Sequence, residues 1–173
     1  IDTTMVLDNP ADAARLAAEL EAIGYDGIYS FEGQHDPFLP LAVASQTTST
    51  VQLGTGIAVA FARNPMSLAY LANDMQLLSE GRFILGLGTQ IQAHIEKRYS
   101  SVWDKPAARL RDMVLAIRAI FDAWQTGDRL RYEGEFYKHT LMTPAFSPGP
   151  NPFGIPPIYC GGFGPKMTEV VGE

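Results

Sequence analysis

The chain has 173 residues, which is the length of one domain or of part of one. Apolar residues make up 46% of it and charged residues 18%, and this composition excludes intrinsic disorder. The formal net charge is −6 at pH 7 and the basic residues are scattered, which argues against a nucleic-acid partner.

Cysteine usage and hydropathy bear on the cellular compartment. Cys160 is the single cysteine, so an intrachain disulfide is excluded and a reducing cytoplasm is favoured. No apolar run approaches the roughly 20 residues that a membrane-spanning helix needs. The amino end also lacks a basic region followed by an apolar stretch. We therefore expect a cytoplasmic protein with no signal peptide and no membrane partner.

The first half of the chain repeats one pattern: a short apolar run, a turn, and then an amphipathic stretch. Asn9-Pro10 and Asn64-Pro65 each offer a helix cap followed by proline, and Gly24 and Gly81 are suited to end the two helices. The predicted elements, in chain order, are a strand at 3–7, a helix from 10 to 24, a strand at 27–31, a helix at 39–48, a strand at 51–59 and a helix from 64 to 81.

The second half continues the same alternation, with a longer fourth unit. Apolar residues at helical spacing predict a long helix at 106–124, after a strand at 83–88. Alternation around Glu133-Gly134 predicts an inserted hairpin within 129–138. An ordered or lid-like loop over 144–157, a fifth strand at 157–162 and a helix beginning at Gly164-Pro165 complete the predicted elements.

Five strands in strict β-then-α order predict an α/β fold, either doubly wound or a TIM-type (β/α)8 barrel of about 250 residues. A barrel fragment of five strands would leave apolar edges open. We therefore expect residues 1–173 to be the amino-terminal part of a single barrel domain, holding strands 1–5 with a hairpin and loop inserted after the fourth helix. No internal domain boundary is predicted.

Several common catalytic motifs are absent. Gly86-Leu87-Gly88 follows a strand but lacks the third glycine of a dinucleotide fingerprint, because Ile91 stands there. The sequence holds no phosphate-binding GxxxxGK[ST] loop, no GxSxG elbow and no HExxH pair. Histidines and acids do not cluster at metal-ligand spacing, so no metal site is predicted and a metal-dependent barrel hydrolase is disfavoured.

Glu32 and His35 are the leading candidates for catalysis. Both follow the second predicted strand, and the loops at the carboxyl ends of barrel strands carry the active site. An imidazole titrates near neutral pH and can pass a proton to a substrate. The alternative is a solvated loop that caps the next helix.

The two other histidines and the cysteine have weaker claims. His94 lies in a segment, 88–94, rich in small and amide residues that can hydrogen-bond a planar heterocycle, although on chemistry alone a plain surface turn is favoured. His139 is predicted to be structural, and Cys160 to be a small buried hydrophobe.

Glycine clusters recur at the carboxyl ends of three predicted strands, at 54–56, 86–88 and 161–164. Glycine weakens a strand unless the backbone bulges or another group approaches closely. Three such clusters together predict a flat ligand across the mouth of the barrel.

These residues resemble the luciferase-like monooxygenase superfamily, and within it the oxidoreductases that depend on the deazaflavin coenzyme F420. The matching segments are AIGYDGIYSFE (22–32), VQLGTGIAVAFARNPMSLA (51–69), GRFILGLGTQIQAHIEKRY (81–99) and IYCGGFGPKMTEVVG (158–172). HDPFLPLA (35–42) and FYKHTLMTPAFSPGPNP (136–152) indicate the F420-linked subgroup.

The resemblance implies a TIM-type barrel that binds flavin or deazaflavin at its mouth, and a non-proline cis peptide that falls here on Gly56-Ile57. It implies that later strands hold the phosphate or tail of the cofactor. Its cofactor-binding positions map onto Glu32, Gly56, Ile57, Val59, Thr89, Gln90, His94, Gly161, Gly162 and Gly164.

Two positions depart from the F420-dependent sugar-phosphate dehydrogenases. Their histidine after the strand-two acid falls on Gly33, and their catalytic glutamate falls on Ile91. Sugar-phosphate oxidation is therefore not expected, and His35 is hypothesised to be the proton donor instead.

The predicted function is hydride transfer between F420 and a small organic substrate. The alternatives are an FMN-dependent monooxygenase of the same fold and a non-catalytic barrel that binds flavin or deazaflavin. The resemblance also implies a homodimer through the helices that follow strands two and three. The apolar residues Leu68, Leu71 and Met75 fit that contact and a barrel-facing core equally well.

Overall fold

The computed structural model describes residues 1–173 and divides into two compact units. The first unit comprises 1–58, 71–87 and 155–159, and the second comprises 59–70, 88–154 and 160–173. No helix in the structure combines the length and apolar character needed to cross a bilayer.

Strands and helices alternate along the chain. The strands are β1 (Asp2–Thr4), β2 (Gly27–Ser30), β3 (Gln52–Thr55), β4 (Ala58–Val59), β5 (Phe83–Gly88), β6 (Tyr132–Glu133), β7 (Lys138–His139) and β8 (Ile158–Cys160). The helices are α1 (Ala13–Ile23), α2 (Phe38–Ser45), α3 (Pro65–Leu78), α4 (Gln92–Lys97), α5 (Pro106–Thr126) and α6 (Pro165–Gly172). Three short 3-10 helices lie at Pro10–Asp12, Ala60–Ala62 and Pro144–Phe146.

A six-stranded sheet holds the order β1-β2-β3-β5-β4, and β8 also pairs with β5. The pairs β1–β2, β2–β3 and β3–β5 are parallel, with Gly27 opposite Gln52 and Leu53 opposite Phe83. Every residue of β5 is buried, as expected for a central strand of a parallel sheet. The predicted α/β class is confirmed. The sheet does not close on itself, so the barrel remains a prediction.

The third strand differs from its prediction. The sequence predicts one strand at 51–59, whereas the structure has β3 and β4 separated by Gly56 and Ile57. The peptide bond between these two residues is cis, at the position where the resemblance placed one. The two flanking strands therefore do not form one continuous run of pairing.

In the first unit, the predicted helix from 10 to 24 begins as a turn of 3-10 helix at Pro10–Asp12, and α1 itself starts at Ala13. The side chain of Asn9 accepts a hydrogen bond from Ala11 N at 3.0 Å and so caps the 3-10 turn. Gly24 adopts φ of 102° at the carboxyl end of α1, which matches the predicted helix stop. The helix buries Ala13 and Ala17 against the rest of this unit.

In the second unit, α5 and the inserted hairpin form as predicted. The buried face of α5 carries the apolar residues Leu110, Met113, Ile117, Phe121 and Trp124, whereas Val114, which the helical spacing places with them, is half-buried. Strands β6 and β7 are antiparallel, with Tyr132 opposite His139.

On α3, Leu68 and Met75 are buried within the chain, which identifies them as core residues.

Candidate functional site

The loop after β2 and the Gly56-Ile57 bond lie together in the first unit. Gly56 N donates a hydrogen bond to Ser30 O at 2.7 Å, and Glu32 N donates to Ile57 O at 3.2 Å. The pairing between β2 and β3 therefore continues through the backbone beyond the regular strands. As a result, the half-buried Glu32 is held beside Ile57, which directly follows the exposed Gly56.

His35 is also fixed within the first unit. Its Nε2 lies 3.1 Å from the carbonyl oxygen of Asp8, which follows β1. A carbonyl oxygen can only accept, so the contact requires the proton on Nε2, and the neutral ring then offers Nδ1 to other groups. Asp36 Oδ1 accepts from Phe38 N at 2.9 Å, so the helix-capping role in this loop belongs to Asp36.

Neighbouring protein groups approach Gly54 and Gly86 closely. A Cβ on Gly54 would lie 2.5 Å from Cε1 of Tyr29, and a Cβ on Gly86 would lie 1.8 Å from the carbonyl oxygen of Thr55. Protein groups lie where a side chain on either glycine would point, so close packing is sufficient to explain glycine at these two positions. The flat ligand across the mouth of the barrel stays a prediction.

Tyr29 is not among the predicted site residues. Its ring lies over Gly54, and a Cβ on Gly56 would lie 3.2 Å from its Cβ. Burial, together with the charges of Asp2 and Tyr159, raises the pKa of its hydroxyl, so the phenol stays neutral at ordinary pH. Tyr29 supports the chain beneath Gly56, and only the strand register, Tyr29 opposite Gly54, reveals the relationship.

The second unit contains Thr89, Gln90 and His94 after β5. Thr89 Oγ1 donates to Gln90 O at 3.1 Å, and Gln90 Oε1 accepts from Ile91 N at 3.1 Å. Gln90 has φ of 62°, in the left-handed region, which turns the chain into α4. The side chain of Gln90 keeps its Nε2 donor for another acceptor.

His94 lies on α4, a helix that was not predicted, and its side chain is exposed. The alternative of a plain surface turn at this residue is therefore wrong. The helix could have been found from the Gln92 and Glu96 side chains, which are hydrogen-bonded at 2.9 Å at the i, i+4 spacing. Ile95 on the opposite face is fully buried.

Val59 and Cys160 differ from each other in burial. Val59 is fully buried, so its side chain is part of the packed core of the second unit. Cys160 is half-buried instead of buried. Burial raises the pKa of its thiol, with Arg118 acting in the opposite direction, so the thiol is protonated and poorly nucleophilic at neutral pH.

After β8 the chain is exposed from Gly161 to Gly164. Gly164 has φ of 85° ahead of α6, a conformation that favours glycine. A Cβ on Gly162 would meet Val171 Cγ2 at an ordinary 3.5 Å, so close packing does not demand this glycine. The backbone of the three glycines and the exposed ring of Phe163 are available here to a planar ligand.

His139 fits the predicted structural role. It lies on β7, where burial lowers the pKa of the imidazole and Nε2 has no hydrogen-bond partner. The structure contains no group of three or more His, Cys, Asp or Glu side chains placed to hold a metal ion.

The residues present fit a planar heterocyclic cofactor in type. The first unit provides an exposed glycine, Gly56, next to the half-buried carboxylate residue Glu32. The second unit provides the Gln90 amide and the bare backbone after β8. Amide donors and side-chain-free peptide are suited to the edges and faces of a flat ring system.

Comparison with known sequences gives one family and a set of longer relatives. Residues 2–173 match the family model described as luciferase-like monooxygenase. An uncharacterised protein of Mycobacterium tuberculosis is 54% identical over 163 residues, which is 94% of this chain and 48% of the relative. The F420-dependent glucose-6-phosphate dehydrogenase of Mycolicibacterium gilvum is 29% identical over 176 residues, which is 95% of this chain and 51% of the relative. The chain thus spans about half the length of the curated relatives it matches.

Among solved structures, the oxygenating constituent of 3,6-diketocamphane monooxygenase of Pseudomonas putida, in complex with FMN, superposes with a TM-score of 0.71. The sequence identity is 16%, and the match covers 88% of this chain and 46% of that one. At this identity the likeness shows a shared α/β fold and nothing about the ligand.

Proposed function

The chain belongs to the luciferase-like monooxygenase family, and from this premise we propose that the protein is an oxidoreductase that uses coenzyme F420. Its reaction is the transfer of a hydride between the deazaflavin and a small organic substrate. The observation that carries the proposal is the 29% identity, over 95% of this chain, to a dehydrogenase named as F420-dependent. The segments 35–42 and 136–152 support the same subgroup.

In this proposal the cofactor supplies the hydride chemistry, and the chain supplies binding, orientation and a proton. In the first unit, Gly56 and Ile57 border the ring and Glu32 faces its edge. In the second unit, Thr89, Gln90 and His94 donate to polar atoms of the cofactor, and Gly161, Gly162 and Gly164 offer backbone amides. Val59 supports the site as a packed residue.

His35 is assigned the proton transfer. Its Nε2–H is engaged by the carbonyl oxygen of Asp8, so the Nδ1 side of the ring is the one that exchanges a proton with substrate. We expect His35→Gln to leave cofactor affinity unchanged and to lower kcat about 100-fold, as for loss of a general acid–base group. Unchanged turnover would remove His35 from the mechanism. Its only role would then be the hydrogen bond to the carbonyl oxygen of Asp8.

The first test is a titration of the purified protein, at its natural length, with F420 and separately with FMN, followed by absorbance and fluorescence. Tight binding of F420 with FMN ignored is the expected result. Binding of FMN alone, or of neither compound, would overturn the proposal.

An FMN-dependent monooxygenase is the second candidate, and the match of residues 2–173 to a family model described as luciferase-like monooxygenase is the observation that favours it. Oxygen uptake separates the two functions, because F420 carries carbon where flavin has N5 and reacts poorly with oxygen. A protein that binds F420 but turns over no alcohol, aldehyde or ketone would instead be a non-catalytic carrier.

We also propose a homodimer through α2 and α3. Leu39, Leu77 and Leu78 are exposed apolar residues of these helices. Leu39 and Leu78 line a groove of about 500 Å³ together with residues of α1 and α2. Light scattering on the purified protein is expected to give twice the monomer mass, and Leu39→Glu is expected to give the monomer.

Location in the cytoplasm likewise stays a prediction.

A further inference from the structure

Arg109, near the start of α5, contacts three separate segments of the second unit. Its Nε donates a hydrogen bond to the Tyr137 hydroxyl at 3.0 Å, and Nη1 donates to the Val102 carbonyl. Its guanidinium carbon lies 4.9 Å from the ring centroid of Phe61 and 5.8 Å from that of Tyr137. The planar cation is therefore placed against two aromatic rings, a geometry that lysine does not reproduce.

Phe61 is the anchor of the segment that follows β4. It is fully buried, and its ring meets Trp103 edge-on at 5.7 Å between centroids. Its carbonyl accepts from Ser101 Oγ at 2.8 Å, and Arg63 Nη1 donates to the carbonyl of Val59 at 3.2 Å. Phe61 is thereby tied to Ser101, 40 residues away in sequence, and to Trp103, whereas the bond from Arg63 to Val59 lies within the segment itself.

Tyr137 reaches Arg109 because the inserted hairpin is fastened to α5. The buried carboxylate of Asp112 accepts from the amides of Phe136 at 2.6 Å and Tyr137 at 3.0 Å, and it accepts from the Tyr132 hydroxyl. Gly134 allows this approach, since a Cβ there would lie 1.9 Å from Asp112 Oδ1. The hairpin is thus a fixed support for Tyr137 rather than a loose loop.

We propose that Arg109 is a positioning residue that couples the inserted hairpin to residues 59–62 and sets their arrangement for cofactor binding. The inference rests on the proposed function, which places the cofactor beside the run from Gly56 to Val59. Arg109 does not touch the cofactor in this scheme. It acts through Phe61, and the hairpin acts through Arg109.

The test compares Arg109→Met and Arg109→Lys with the wild type, and uses Arg118→Met, an exposed position on the same helix, as the matched control. Amide hydrogen exchange is measured without cofactor, and F420 and FMN are titrated into each variant. In Arg109→Met we expect exchange at residues 59–62 to quicken about tenfold while the strands of the first unit stay protected. Affinity for the cofactor that the wild type binds should weaken about tenfold, because fewer molecules hold the competent arrangement. Arg109→Lys should lie between Arg109→Met and the wild type, and Arg118→Met should match the wild type.

Each other result has a distinct meaning. Exchange that quickens evenly across the chain, with cofactor affinity unchanged, would show that Arg109 merely stabilises the fold and would overturn the inference. If the wild type bound neither cofactor, the proposed function would fail, and the cofactor part of this inference would fall with it. In that case, amide exchange at residues 59–62 would still test whether Arg109 couples the hairpin to this segment. Equal exchange in Arg109→Met and the wild type would overturn that part of the inference as well.

Discussion

Thr55 and Gly86 join the neighbouring strands β3 and β5 through a reciprocal pair of hydrogen bonds. Thr55 Oγ1 donates to Gly86 O at 2.7 Å and accepts from Gly86 N at 2.8 Å. Both residues are buried, so water cannot replace either bond. One hydroxyl group thus satisfies both main-chain groups of its partner at the point where β3 ends.

Replacing Thr55 by valine keeps the shape of the side chain but leaves the N–H and C=O of Gly86 unpaired. We expect Thr55→Val to lower the free energy of unfolding by about 2–3 kcal/mol, measured by urea denaturation. Thr55→Ser retains the hydroxyl and should lose less than half of that. Equal losses in the two variants would show that the methyl group, and not the hydrogen bonds, carries the contribution of Thr55.

Gly86 has no room for a side chain. A Cβ would lie 1.8 Å from the Thr55 carbonyl oxygen, a main-chain atom that cannot move alone. We expect Gly86→Ala to cost about 3 kcal/mol or more, or to prevent folding. Gly172→Ala on α6 is the control, because a Cβ there meets nothing within 4 Å. Similar thermal stability of the two variants would contradict the close approach of β3 to Gly86.

Tyr29 and Gly54 are complementary in size, since the Tyr29 ring occupies the space beside Gly54. We expect Gly54→Ala to destabilise the wild type by about 1–3 kcal/mol through overpacking. In a Tyr29→Val background the same substitution should cost at least about 1 kcal/mol less. Denaturant unfolding of the four proteins of this cycle measures the coupling, and additive losses would mean that the two residues do not meet.

Glu21 makes the stability of the first unit depend on pH. Burial alone would raise the pKa of its carboxyl, but the amides of Thr50, Val51 and Ser49 and the Thr50 hydroxyl outweigh it and lower the pKa from 4.5 to about 2. A lowered pKa means that the contribution is present above pH 4.5 and is lost as the pH falls towards 2.

Between pH 5 and pH 2, we expect Glu21→Gln to lose about 1 kcal/mol less free energy of unfolding than the wild type loses. This value is reduced to allow for the solvent exposure of the carboxylate. Glu19→Gln is the control, because its ion pair with Arg15 is exposed on both sides. Urea midpoints measured across this pH range give the comparison. Identical pH profiles for Glu21→Gln and the wild type would remove Glu21 as the source.

The sequence by itself determined the alternation of strands and helices, the carboxyl end of α1, the start of α5 and the inserted hairpin. These features depend on local signals: a cap, a stop, a helical spacing or a turn, each of which spans a few residues. It also determined the family, because four segments of the chain match in order and spacing.

The tertiary structure alone decided which residues of these elements contact one another. The Tyr29–Gly54 and Thr55–Gly86 contacts depend on the register of strands some 25–31 residues apart, and the Asp8 carbonyl that engages His35 lies 27 residues away. A glycine in a buried strand predicts only that something approaches. Whether a ligand or a neighbouring chain segment fills that space is set by strand pairing, since local sequence carries no record of the side chain on the adjacent strand.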